Sequence, residues 1–436
     1  MLSRHATHPR QTLISAFVGW KAILLAVALG SAVAPSYDTS TTLFLQRNES
    51  DVSLVTRLTR WDAIYFTQSA KQGGYTFEQE WAFNAGLPIV VSYLVKAARS
   101  FGLEGAHGSL EAAFGIIVAH VAHLLAVITL HDLTLRLFDR KPLAFLAGLL
   151  HVLSPAGLFL SAPYAESSFA FLAFAGYRLL ASTDAPRGSL PWTAAQISAG
   201  AVFGLATAFR SNGLLNGLPF AAECLVVLHS LQASPITSAN LKNAVAQLLG
   251  PIIGGILVAM GSIVPQYVAW SRYCSGASEP RVWCGRTVPS IYSFVQEHYW
   301  GVGFLRYWTP GNIPVFVLAT PVLGLLLVSG MEVFQRPSVL ERSPTAEKGG
   351  KSRMTSREVA VRSMALSQVL LAGLAITTYH VQIITRIASG YAVWYWWVAG
   401  CLLDEQRKGL GSKVLTFSIM YALIQGALFA SFLPPA

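Results

Sequence analysis

Polar side chains with the means to do chemistry fall in a few short segments of an otherwise apolar chain. Residues 60–88 place Asp62 beside Trp61, then Glu78 and Glu80 among Tyr75, Phe77, Trp81 and Phe83. A carboxylate walled by aromatic rings is partly desolvated, which raises a carboxyl pKa and makes a better base near neutral pH. Trp and Tyr rings also stack on sugar faces. An interfacial amphipathic segment with ordinary exposed acids gives the same pattern. Further on, Ser154-Pro155 and the stretch 161–167 bring Tyr164 and Glu166 to a helix start, where an acid either complements the helix dipole or serves a site. Arg210-Ser211-Asn212-Gly213 turns between two apolar stretches, as a site or as a capped turn with a snorkelling arginine. Tyr379 to Arg386 sets His380, Gln382 and Arg386 in an apolar setting, where polar groups are expensive and often functional. Arg386 has the fork to hold a phosphate with two hydrogen bonds, or it anchors a span at the interface. Walker A, GxGxxG and HExxH motifs are absent.

The elements that carry these groups follow from composition. The chain has 436 residues, 53% hydrophobic and 12% charged, with mean hydropathy +0.50. Soluble proteins carry about 25% charged residues, so these figures exclude a water-soluble globule, a disordered chain and a collagen-like repeat. Residues 243–271, 307–331 and 142–165 hold no Asp, Glu, Lys or Arg, and about 20 apolar residues cross a bilayer as a helix. The reading is an all-α polytopic membrane protein. The net charge of +10 then belongs to cytosolic loops beside anionic lipid rather than to nucleic-acid binding. Eleven spans are expected, at 13–34, 111–135, 143–161, 166–181, 192–209, 213–231, 245–270, 313–333, 359–380, 386–403 and 413–431. The first is too long for a signal peptide.

Residues 87–98 are apolar but short and contain Lys96. Were they to cross, Arg136, Arg140 and Lys141 would leave the cytosol, as would 334–358 with its six Lys/Arg against three Glu. The positive-inside rule opposes that, so 87–98 is expected to lie as an amphipathic helix on the luminal interface. The segments 35–110 and 271–312 then face the lumen, and 334–358 forms a flexible basic cytosolic loop. Cys274 and Cys284 are disulfide candidates in an oxidising lumen. Under this topology the polar groups share one surface, a layout that suits an acidic base, an anionic lipid-linked donor and a sugar acceptor. A lipid-linked-sugar transporter or flippase, and a non-catalytic scaffold subunit, are the competing classes. The first predicts paired halves with broken midplane helices; the second predicts that replacing Asp62 leaves a complex intact.

The segments also carry a resemblance. Trp61-Asp62-Ala63 with Phe66, Gly74-Tyr75, Glu78 to Phe83, Ser154-Pro155-Ala156, the Ser161 to Ser167 run and Arg210-Ser211-Asn212-Gly213 come first. Trp283-Cys284, Tyr292-Ser293, Val295-Gln296, Tyr299-Trp300, His380 to Arg386 and Tyr395-Trp396 follow. In this order, over nearly the whole chain, they resemble the PIG-V family of dolichol-phosphate-mannose-dependent GT-C glycosyltransferases, in its fungal form. The resemblance implies a GT-C-like bundle whose luminal first loop carries interfacial helices. It implies transfer of the second mannose, α1,6-linked, onto the GPI precursor in the endoplasmic reticulum, with inversion. Asp62 is the expected base, with Glu78 and Glu80 orienting acceptor hydroxyls. Trp61, Tyr164, Glu166, Arg210 and Asn212 are expected to bind substrate, and His380, Gln382 and Arg386 to meet the donor phosphate. No nucleotide or redox cofactor is required. A divalent metal stays open, since Asp62-Ala63-Ile64 is no DxD. The resemblance also implies a small membrane partner subunit in the endoplasmic reticulum.

Overall fold

Long uncharged runs in hydrocarbon must satisfy every backbone group internally, and this chain does so with helices, each within its own segment. The structure, a computed structural model, describes residues 8–33, 36–47, 52–105, 108–233, 235, 237–276, 279, 281–341 and 354–434. No strand occurs among them. The helices are α1 (Pro9–Gly30), α2 (Ser40–Leu45), α3 (Leu54–Leu58), α4 (Asp62–Gln72), α5 (Gly86–Ser100), α6 (Ser109–Phe138), α7 (Lys141–Val152), α8 (Glu166–Leu180) and α9 (Leu190–Phe209). The second half adds α10 (Leu218–Gln232), α11 (Ser238–Tyr273), α12 (Ile291–His298), α13 (Ile313–Gln335), α14 (Ser356–Thr377), α15 (Ile384–Ile387), α16 (Ala392–Leu403) and α17 (Lys408–Ala430).

Seven stretches among the described residues are long and apolar enough to cross a membrane unaided: Pro9–Val33, Ser109–Phe138, Ser211–Gln232, Ser238–Tyr273, Pro310–Gln335, Ser356–Thr377 and Lys408–Ala430. Two expected spans are broken. In 143–161, α7 stops at Val152, and a turn and a short 3-10 helix over Gly157–Leu160 take over. A helix of 12 residues rises about 18 Å, short of a hydrocarbon core of about 30 Å. In 386–403, α15 and a 3-10 turn over Ala388–Gly390 precede the 12-residue α16. The break after α7 follows from Pro155 and Pro163, which remove backbone donors, and from Gly157. Gly157 has φ +50, and a Cβ there would sit 3.1 Å from the Ala422 carbonyl oxygen. Residues 154–170 are buried without exception. Irregular backbone at such depth is tolerated where protein covers it or a cavity adjoins it.

Helices α9 and α11 approach backbone to backbone. A Cβ on Gly261 would meet the Gly204 carbonyl oxygen at 2.2 Å, and one on Gly200 would meet Gly254 Cα at 2.4 Å. Small residues let backbones approach this closely in a membrane, where packing replaces the hydrophobic drive. The expected helix at 87–98 is α5. It buries Leu87, Val91 and Val95 and exposes Ile89, Tyr93 and Leu94.

The basic segments meet at one end of the bundle. Arg136 and Arg357 share Asp184 at 2.6 and 3.1 Å, Arg140 donates to the Leu340 carbonyl at 2.7 Å, and Arg407 grips Glu332 at 2.9 Å through two nitrogens. Of the loop expected at 334–358, residues 342–353 lie outside the described residues. Cys274 and Cys284 are joined by a disulfide, with Cα atoms 5.6 Å apart.

Candidate active site

The two broken spans build the other end. The turn 153–165 and the segment 378–391 pack together: His151 Nε2 lies 3.2 Å from the Ser389 carbonyl oxygen, and the Tyr395 hydroxyl lies 3.2 Å from Ser154 Oγ. Lys21 of α1 fixes the first turn from behind. Its ammonium donates to the Leu160 carbonyl at 2.9 Å and to Ser161 Oγ at 2.7 Å. The turn therefore presents Phe159, Tyr164 and Glu166 from a fixed backbone.

Four charged side chains then meet. Asp62, the first residue of α4, accepts from Arg386 at 2.8 Å. Arg386 Nε also lies 3.3 Å from Glu166 Oε1, an ion-pair distance whose angle falls short of a hydrogen bond. Arg210 Nη1 donates to that same oxygen at 2.6 Å. The result is a chain of alternating sign, Asp62–Arg386–Glu166–Arg210, with no net charge. Arg386 lies over the Phe159 and Tyr164 rings, 5.2 and 5.3 Å from their centroids, a cation–π contact that a planar guanidinium makes well. Asn212 extends the chain by accepting from Arg210 Nε at 3.2 Å and donating to the Tyr391 hydroxyl at 3.1 Å. Glu166 is fully buried and Asp62 is 30% exposed, so only the aspartate of the two acids opens to a ligand.

It opens into a cavity of about 550 Å³, within the usual range of small-molecule sites. The polar wall comprises Asp62, Arg210, Asn212, His380, Gln382 and Arg386, and the facing wall is aromatic, with Trp61, Tyr65, Phe83, Phe159, Tyr164 and Trp300. Gln382 accepts from the Tyr307 hydroxyl at 3.0 Å. His380 stacks edge-on with Tyr307 at 4.9 Å, and its Nδ1 is buried without a partner. Burial pushes the His380 imidazole below its ordinary value near 6.5; Asp62 pulls the other way and Arg386 adds to the fall. The ring is therefore neutral at pH 7.

Three expected site residues sit elsewhere. Glu80 turns back on its own backbone, accepting from the Thr76 and Phe77 N–H groups at 2.6 and 2.9 Å. Glu78 accepts from Trp283 Nε1 at 2.8 Å and from the Tyr299 hydroxyl at 3.3 Å, clamping the 271–312 loop onto 78–82. Neither lines the cavity; both carboxylates are engaged in these hydrogen bonds instead. Glu166 lies behind the wall and acts on the two arginines. Conversely, Tyr65, Asn84, Tyr292, Trp300 and Tyr379 line the cavity without having been assigned a role from sequence. The signal for Tyr292 and Trp300 was their place in the family pattern. Among the described residues no three of His, Cys, Asp or Glu gather as metal ligands.

The sequence matches the profile of the mannosyltransferase (PIG-V) family over residues 14–436. It is 49% identical to the GPI mannosyltransferase 2 of Gibberella zeae over 99% of both chains. It is 47% identical to that of Chaetomium globosum over 99% of this chain and 97% of the relative. With the enzyme of the same name from Aspergillus fumigatus it shares 39% over 98% and 94%. Among solved structures, the oligosaccharyltransferase of Archaeoglobus fulgidus, tethered with an acceptor peptide, aligns with TM-score 0.48 and 12% identity over 99% of this chain and 56% of that one. The same archaeal protein in its apo form gives 0.45 and 15% over 96% and 55%, so the chain spans about half their length. A profile that runs from Leu13's neighbour Ile14 to the last residue, with full-length relatives at this identity, places this helical, multi-pass membrane protein in the PIG-V mannosyltransferase family.

Proposed function

We propose that this chain transfers mannose from dolichol-phosphate-mannose to the 6-hydroxyl of the first mannose of a GPI precursor, forming an α1,6 linkage with inversion. The observation that carries the reading is the Asp62–Arg386 pair, 2.8 Å apart on the wall of a cavity in a member of a mannosyltransferase family. The acceptor oxygen attacks the anomeric carbon, and its proton passes to Asp62. The bond from the anomeric carbon to the phosphate oxygen breaks, and its electrons leave with dolichyl phosphate. Asp62 loses its negative charge as the leaving phosphate gains one. Arg386 spans that exchange: the neutralised aspartic acid releases the guanidinium, whose charge is then free to stabilise the phosphate. Glu166 keeps Arg386 in place meanwhile. The aromatic wall supplies stacking faces for the two sugars, and no nucleotide or redox cofactor enters.

The arginine-rich end formed by Arg136, Arg140, Arg357 and Arg407 supports a cytosolic placement for that end and a luminal one for the cavity, in the membrane of the endoplasmic reticulum. The acceptor is a GPI glycolipid, and a small membrane subunit is the expected partner. The test is lipid analysis in cells lacking the corresponding enzyme. A one-mannose GPI intermediate should build up, and this chain should relieve it. Accumulation of any other intermediate, or no relief by a well-expressed chain, overturns the reading.

A further inference from the structure

Both arginines on the cavity wall are already matched by carboxylates, Arg386 by Asp62 and Glu166 and Arg210 by Glu166. A lipid-linked donor brings one more negative charge in its phosphodiester. Arg60, one residue before Trp61, is a cation to meet it. Its side chain is 1% exposed. Nη2 donates to Ser36 Oγ at 2.9 Å, while Nε and Nη1 are buried without a hydrogen-bond partner. Among the described residues no carboxylate forms an ion pair with it. The neighbouring Trp61 Nε1 is likewise buried without a partner. Three N–H donors on consecutive residues thus lack acceptors, and buried donors are rarely left so. The complement to such a set is a cluster of anionic oxygens.

An aromatic ring from the C-terminal segment lies over the donors. The Phe432 ring lies over the Arg60 guanidinium at 5.1 Å and against the Trp61 indole at 5.1 Å. Its near neighbour Pro434 lines the cavity. Trp61 and Phe432 both have positive φ, 54° and 62°, a conformation costly for bulky residues and concentrated at working sites. The Arg60 carbonyl accepts from the Tyr164 hydroxyl at 3.1 Å, tying this segment to the wall that holds Arg386.

We propose that Arg60, with Trp61 Nε1, binds the phosphate of the lipid-linked donor once the Phe432 ring swings aside. The inference rests on the mannosyl-transfer reading above and divides the charge between two arginines. Arg60 meets the single charge the donor carries on arrival, and Arg386 meets the one that develops as the bond breaks. Burial, and the like charge of Arg57, push the Arg60 guanidinium down to about 10, with Asp38 opposing. It stays protonated at neutral pH but is poised to gain from an anion.

The test is transfer by the full chain in membranes, across donor concentrations, for wild type, Arg60→Gln, Arg60→Lys and Arg386→Gln. Arg60→Gln should raise the donor KM by about tenfold or more and leave the acceptor KM in place, while Arg386→Gln chiefly lowers kcat. A short-chain polyprenyl phosphate should compete with donor and lose potency in Arg60→Gln. Inorganic phosphate run in parallel separates a site for the phosphate group alone, which both probes fill, from one that also needs the lipid. An unchanged donor KM in Arg60→Gln overturns the proposal. Should Arg60→Gln fail to accumulate, Arg60→Lys decides, since it keeps the charge but loses the fork: a raised donor KM supports the proposal and an unchanged one overturns it. If wild type transfers no mannose, the failure belongs to the function reading and not to Arg60.

Discussion

Replacing Glu166 by Gln removes the negative charge from the centre of the Asp62–Arg386–Glu166–Arg210 chain while keeping its shape. Glu166 lies 2.6 Å from Arg210 and 3.3 Å from Arg386 and is fully buried. With an effective dielectric constant of about 20, those two separations correspond to gross attractions of roughly 6 and 5 kcal/mol. Much of that offsets the cost of taking the charges out of water. Removing one partner of a buried pair still costs about 3–5 kcal/mol, because the charges left behind have no compensation. Two guanidinium groups would then face each other across a neutral amide. The expected outcome is a loss of about 3–5 kcal/mol in stability, read from denaturation of the detergent-solubilised protein. Arg386, no longer anchored, should swing and take Asp62 out of line, so kcat falls as well. The double variant Glu166→Gln with Arg386→Gln should lose less than the two single losses summed, since the Glu166–Arg386 attraction is lost in each single variant but only once in the double. A stability loss below about 1 kcal/mol, or simple additivity in the double variant, would refute the picture of a coupled buried chain.

Three further outcomes follow from the geometry. Glu78→Gln should lower stability by about 1–3 kcal/mol, because Trp283 and Tyr299 lose a charged acceptor, while kcat falls far less than in Asp62→Asn; parallel melting and transfer assays check this. Gly261→Val should cost about 1–3 kcal/mol or more by overpacking, since its Cβ would start 2.2 Å from the Gly204 carbonyl; melting temperature is the readout, and an unshifted value contradicts the close α9–α11 contact. His380 has a folded-state pKa below 6.5, so the unfolded chain binds the proton more readily. Its contribution to stability is complete well above pH 6.5 and is lost as pH falls through the lowered value; melting temperature should therefore drop as pH falls below about 6.5, less steeply in His380→Gln.

The polytopic helical class and much of the cavity's polar wall were legible because charge is expensive in an apolar chain. Asp62, Arg210 and Arg386 stand out for that reason, and each turns up on the wall. Glu78 and Glu80 gave the same signal and lie off the wall. Their oxygens are taken by a tryptophan 205 residues away and by local N–H groups, and no local pattern reports a long-range partner. Glu166 was visible as a polar residue at a helix start, but its depth depends on where two arginines from other helices land. The broken spans were hidden by apolarity. Residues 143–161 are hydrophobic enough to cross, and hydropathy does not record that Pro155 and Gly157 turn the backbone inside the bundle. Arg60 and Lys21 carry no role in the sequence reading, because a buried cation is told from a snorkelling one only by what surrounds it.

The most direct test of the central claim is Asp62→Asn, expressed in cells that lack the native enzyme and compared with the unaltered chain at matched abundance. The amide keeps the shape of the carboxylate but has no lone-pair charge with which to take the acceptor proton. The account predicts that the one-mannose GPI intermediate persists and that surface GPI-anchored proteins stay depleted. Normal levels of two-mannose product with Asn at this position would show that the proton goes elsewhere and that Asp62 is not the base.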